Sequence, residues 1–147
     1  MRKGFSMLTA LIFMILVATL GALALSLSNL SLKQTSDLYL REQAELLVQS
    51  ATEYALLAIS GHNFSTNCLN TITSTYTDGT TTLFDINISL YYLGNGLPAN
   101  CNTLTNNLNN IDTNDSNLTV MIDTTVTSAA GISTEPIRIH RRTIQKP

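Results

Sequence analysis

Charge is scarce in this chain. Eight Lys and Arg and ten Asp and Glu make up 12% of 147 residues, about half the share found in ordinary globular domains. The deficit is uneven, because after Arg2 and Lys3 no charged residue occurs before Lys33. An uncharged apolar run of that length is a membrane-directed segment rather than a core helix, which argues against a purely cytosolic soluble protein. A formal net charge of −2 and a pI near 5.5 exclude a nucleic-acid-binding domain that works through overall positive charge. No second apolar run follows within these 147 residues, so a polytopic membrane protein is excluded as well. Histidine is limited to His62 and His140 and cysteine to Cys68 and Cys101. No His–Cys spacing suits a metal, and no clustered Ser-His-Asp pattern or phosphate loop is present. The chain therefore reads as no enzyme, with no metal and no cofactor.

Composition shifts along the chain. Residues 1–4 are short and basic. Residues 5–32 are dominated by Leu, Ile, Val, Ala and Met, with no proline and one interior glycine, Gly21. Roughly 20 such residues cross a bilayer core. Residues 33–60 are mixed. There Leu40, Ala44, Leu47, Ala51, Tyr54 and Ala58 recur at alternating spacings of four and three, the pattern of an amphipathic helix. Arg41, Glu42, Glu45 and Glu53 fall off that stripe, and Gly61 is placed to cap it. One helix of about 55 residues is predicted, its first half in lipid and its second half against a globular head.

Residues 61–147 are rich in Thr, Asn and Ser, hold both cysteines and all three prolines, and read as β. Asp78-Gly79 signals a tight turn. Phe84, Ile86, Ile88 and Leu90 alternate with Asp85, Asn87 and Ser89, and Leu118, Val120 and Ile122, extended by Val126, alternate with Thr119, Met121 and Asp123. Ile137 and Ile139 open a last short strand. Residues 94–98 read as a turn or loop and 103–117 as an Asn-rich surface loop. A three- or four-stranded antiparallel sheet with one apolar face needs cover, and the helical stripe over 40–58 is the available partner. The fold class predicted is α+β, a helix laid across a small sheet.

Arg2 and Lys3 precede the span, which by the positive-inside rule keeps them cytoplasmic and places the head outside. There Cys68 and Cys101 can pair. Closing a loop of 33 residues stabilises a small domain by about 3 to 4 kcal/mol in the chain-entropy model.

The residues Arg2-Lys3-Gly4-Phe5-Ser6-Met7-Leu8-Thr9 bear on how the first segment is used. A basic leader ending in Gly, then Phe, then an unbroken apolar helix resembles the class III signal of type IV prepilins and type II secretion pseudopilins. The resemblance covers about the first 60 residues. It implies cleavage between Gly4 and Phe5 by a membrane prepilin peptidase and methylation of the new N-terminal Phe5. It implies a single-pass bacterial inner-membrane protein with its head in the periplasm or outside, later lifted into a filament. Its partners would be inner-membrane lipid, the peptidase and other pilin-like subunits. One departure stands out: at the position where main subunits usually carry Glu, this chain has Thr9. A carboxylate there is thought to meet a neighbour's N-terminal amine, and Thr9 cannot supply that charge. The resemblance is therefore to a minor pilin or minor pseudopilin.

Two further readings stand beside it. Ala22-Leu23-Ala24 is an acceptable cleavage site for an ordinary secretory signal, which would leave an exported binding domain, and an uncut chain would be a simple membrane anchor. Arg138, His140, Arg141, Arg142 and Lys146 cluster near the C-terminus. Some pilin-like proteins serve DNA uptake, so DNA is a candidate partner, although basic residues on a last strand more often guard an exposed edge. Asp112, Asn114 and Asp115 faintly resemble an oxygen-rich calcium loop but lack the Gly and distal Glu of an EF-hand.

Overall fold

The computed structural model describes residues 3–104 and 118–146. It contains one helix, α1 (Lys3–Ser60), and four strands, β1 (Thr71–Asp78), β2 (Thr81–Gly94), β3 (Leu118–Ser128) and β4 (Arg138–Gln145). The chain forms two compact units, Met1–Leu38 and Tyr39–Pro147.

In the first unit every large apolar side chain from Met7 to Leu38 is at least half exposed. The segment is helical because it consists of strong helix formers without proline. Two of its hydroxyls bond back to the helix: Thr19 Oγ1 donates to Leu16 O (2.8 Å) and Thr35 Oγ1 to Ser31 O (2.9 Å). Such back-bonding leaves little unmet polarity on an apolar helix. The helix is long and apolar enough to cross a membrane.

The second unit is α+β, as the patterning predicts. The strands form an antiparallel meander in the order β1-β2-β3-β4, and residues 40–59 of α1 cover one face of it. Gly79 (φ 59°) is the first of two residues linking β1 to β2, the place a type II′ hairpin reserves for glycine. The large buried side chains come from the sheet: Phe84, Ile88, Leu90, Tyr92, Val120, Ile122 and Val126. The helix contributes small ones, Ala44, Ala51 and Ala55, with Leu40, Val48 and Ile59. Large opposite small lets the helix lie close to the sheet without voids.

Three details differ from the sequence reading. The buried helix face is Leu40, Ala44, Val48, Ala51, Thr52, Ala55 and Ile59, while Tyr54 is 58% exposed and Leu47 and Ala58 sit at the margin. An α-helix turns every 3.6 residues, so a stripe spaced at 3.5 drifts by about 20° per heptad. Over Leu40–Ala58 that drift carries the stripe off the packed face. Second, β1 is a strand that the patterning did not single out. Third, Met121 lies on the sheet face away from α1 yet is buried, between Tyr91 of β2 and Ile144 of β4 in the ladder.

Candidate functional site

The residues singled out at the N-terminus share one element. Lys3, Gly4 and Phe5 lie in the first turns of α1, and Thr9 follows Phe5 by one turn. Thr9 is exposed. The small residues Ala10, Ala18, Gly21, Ala22 and Ala24, which would let neighbouring helices approach closely, are exposed too, and a Cβ at Gly21 would meet nothing within 4 Å. Ala22-Leu23-Ala24 also lies within the uninterrupted helix.

Further along α1, Tyr39, Leu46 and Leu57 are 63%, 65% and 70% exposed. They are 7 and 11 residues apart, so they share one azimuth of the helix. Gln43 sits among them and its Nε2 donates to the Tyr39 hydroxyl (2.8 Å). The second half of α1 thus carries, opposite its packed face, an exposed azimuth on which these three apolar side chains stand among Gln43, Ser50 and Glu53.

Cys68 and Cys101 form the disulfide, with Cα atoms 5.0 Å apart. It ties the α1–β1 connection to the loop after β2. Polar contacts reinforce the tie. Asn70 Nδ2 donates to Asn100 O (2.8 Å), Asn102 N donates to Asn70 Oδ1 (2.9 Å), and the Tyr92 hydroxyl donates to Leu69 O. Burial pushes the Tyr92 phenol up to about 12. Phe64 meets the Tyr92 ring edge-on, 5.6 Å between centroids.

The basic cluster is split by the strand that carries it. In β4, Arg141 pairs with Thr124 and shares the helix side of the sheet, where it lines a groove with Gln49, Glu53 and Leu56. Arg138, His140 and Arg142 lie on the opposite face. Two of these are already engaged: Arg142 reaches Asp123 Oδ2 through Nη2 (2.5 Å) and Nε (3.1 Å), and His140 Nε2 contacts Asp123 Oδ1. The His140 contact is an ion pair only when the ring is protonated. Burial pushes the Asp123 carboxyl up, but the hydrogen bonds and charges of Arg142 and His140 outweigh it and hold the group below the usual carboxylate range. Asp123 is the residue the sequence reading missed. Its place directly opposite Arg142 depends on the β3–β4 register.

Asp112, Asn114 and Asp115 lie outside the described residues. Among the described residues no group of three or more His, Cys, Asp or Glu could hold a metal ion. No protein-family model, no curated protein and no solved structure matches the chain.

Proposed function

We propose that this chain is a structural minor subunit of a type IV pilus-like or type II secretion-like filament. The observation that carries the reading is α1 itself. Its residues from Met7 to Leu32 expose large apolar side chains that no described residue covers. The same helix continues into a stretch clamped on a disulfide-tied head. Lipid and a bundle of like helices are equally non-aqueous, so one apolar surface serves both before and after assembly. Small residues such as Ala18, Gly21 and Ala22 allow neighbouring helices to approach closely. Within the head unit, the exposed side chains of Tyr39, Leu46 and Leu57 offer a further apolar contact.

In this reading a prepilin peptidase cuts between Gly4 and Phe5 and Phe5 is methylated. The head, with its disulfide, stands in an oxidising compartment outside the cytoplasm. No catalytic step belongs to the chain. The contrasting reading is an exported or membrane-anchored binding domain with an ordinary signal.

Intact mass and N-terminal sequencing of the protein from native membranes test this. An N-terminus at Phe5 carrying one methyl group is expected. Cleavage after Ala24 would remove the assembly helix and sink the filament reading, and an uncut chain in a cell that has the peptidase would leave a simple anchor.

A further inference from the structure

The two edges of the sheet, β1 and β4, have no further strand beside them among the described residues and are chemically opposite. Edge strand β4 carries Arg138, His140, Arg141 and Arg142, and charged edges repel added strands. Edge strand β1 reads Thr-Ile-Thr-Ser-Thr-Tyr-Thr-Asp, with no charge before Asp78 and no proline. Strands β1, β2 and β3 contain Asp78, Asp85 and Asp123 and no basic residue, whereas β4 contains no acidic one. Charge therefore runs from negative to positive across the sheet.

The ladder fixes which backbone groups of β1 are free. Leu90 N donates to Asn70 O (2.9 Å), so Asn70 and the alternate residues Ile72, Ser74 and Tyr76 direct their main-chain groups at β2. Thr71, Thr73 and Thr75 direct theirs away from the sheet, and all three residues are exposed. Three consecutive donor–acceptor pairs at strand spacing match an extended polypeptide backbone. Side-chain sites flank this edge on both faces. On the α1 side lies a groove of about 360 Å³ lined by Tyr54, Ala51, Ile72, Ser74 and Ile86, beside half-exposed Tyr76. On the other face Asp85 sits directly across from Thr75 and is exposed. Neither Asp78 nor Asp85 has an ion-pair partner among the described residues.

We infer that β1 is a strand-accepting edge. Its occupant is an extended segment of another polypeptide that alternates apolar and basic residues. Apolar side chains would enter the Tyr54–Ile72 groove, and basic ones would pass the threonine row toward Asp85. Main-chain hydrogen bonds supply affinity and the alternate side chains supply specificity.

A second copy fits less well. Antiparallel β1–β1 pairing of two copies brings no basic residue to Asp85, because β1 itself contains none. Pairing of a neighbour's β4 with β1 satisfies charge. However, two basic side chains of β4, His140 and Arg142, are already engaged with Asp123.

The test uses the full chain in nanodiscs of zwitterionic lipid and a blocked synthetic peptide alternating valine and lysine. Saturable binding is expected, with amide NMR shifts centred on Thr71, Thr73 and Thr75. Thr73→Lys should weaken it by about tenfold or more, as an edge charge does, and Asp85→Asn should weaken it less. A peptide N-methylated on its edge-facing residues should not bind. Equal binding of the methylated peptide would overturn the inference. So would full affinity in a Thr73→Lys chain whose melting is unchanged, or no saturable binding up to about 1 mM, the floor of specific affinity. Self-association of the chain that Thr73→Lys abolishes would overturn the assignment in favour of a second copy. An N-terminus other than Phe5 removes the filament reading while peptide binding stands.

Discussion

Thr52 and Thr124 meet hydroxyl to hydroxyl, 3.3 Å apart, inside the helix–sheet interface. Both are buried, Thr124 completely. Thr52 Oγ1 also donates to Val48 O at 2.8 Å, and a hydroxyl has one proton. Thr124 is therefore the donor and Thr52 the acceptor in their contact.

That direction makes the pair asymmetric. Thr52→Val strands the buried Thr124 proton, which should cost about 1 to 3 kcal/mol. Thr124→Val leaves the Thr52–Val48 bond intact and should cost clearly less. The double variant removes both polar groups at conserved shape and should recover much of the Thr52→Val loss. Urea unfolding of the four chains in detergent, arranged as a cycle, checks this. Equal single effects with strict additivity would refute the assigned direction.

The disulfide should matter more than any single core contact. Loss of the Cys68–Cys101 link frees a loop of 33 residues, worth about 3 to 4 kcal/mol in the chain-entropy model. The Cys68→Ser/Cys101→Ser variant and the chemically reduced parent should melt alike, both well below the oxidised parent. Reduction that leaves the melting temperature unchanged would show that the Asn70 and Tyr92 contacts hold the region unaided.

Acid should expose the Asp123 cluster. The carboxyl has a lower pKa in the folded chain than the ordinary value of 3.8. Its contribution is then complete above about pH 4, and it is lost as pH falls through the depressed folded value. Arg142 and His140 are about half exposed, so the gain is modest and screened by salt. Asp123→Asn should lower the urea midpoint slightly at pH 7 and flatten its decline below pH 4, with both effects shrinking at high salt. An acid limb identical in parent and variant would remove Asp123 from the account.

Much of this architecture was legible in the residues, and the exceptions have physical causes. The long apolar helix, the β2 and β3 alternation and the Asp78-Gly79 turn are local signals, and local signals survive folding. β1 was not legible because an edge strand wet on most of its surface has little to alternate: only Ile72 in it is even partly buried. The packed face of α1 was misjudged because several small residues, Ala44, Ala51, Ala55 and Ala58, allow more than one stripe, and the sheet chooses. The split of the basic cluster was within reach, since period two already separates Arg141 from Arg138, His140 and Arg142. The role of Asp123 was not, because the β3–β4 register depends on a connection whose path no local pattern dictates.

The two faces of the second half of α1 give the sharpest test of how the helix is used. Ala55 is fully buried against the sheet, whereas Leu46 is 65% exposed. Ala55→Leu forces three extra heavy atoms into a closed interface and should cost about 1 to 3 kcal/mol. Leu46→Lys touches no core contact and should change unfolding by no more than about 0.5 kcal/mol. In a filament the order reverses. A lysine at Leu46 puts a charge on the surface offered to neighbouring helices, where burial is expensive even with Glu42 one turn away to pair with it. That variant should be processed normally, accumulate in the membrane and fail to enter filaments, as followed by shearing and immunoblotting. Wild-type incorporation of Leu46→Lys would mean that the exposed azimuth of Tyr39, Leu46 and Leu57 faces solvent after assembly, leaving residues 7–32 to form the bundle alone.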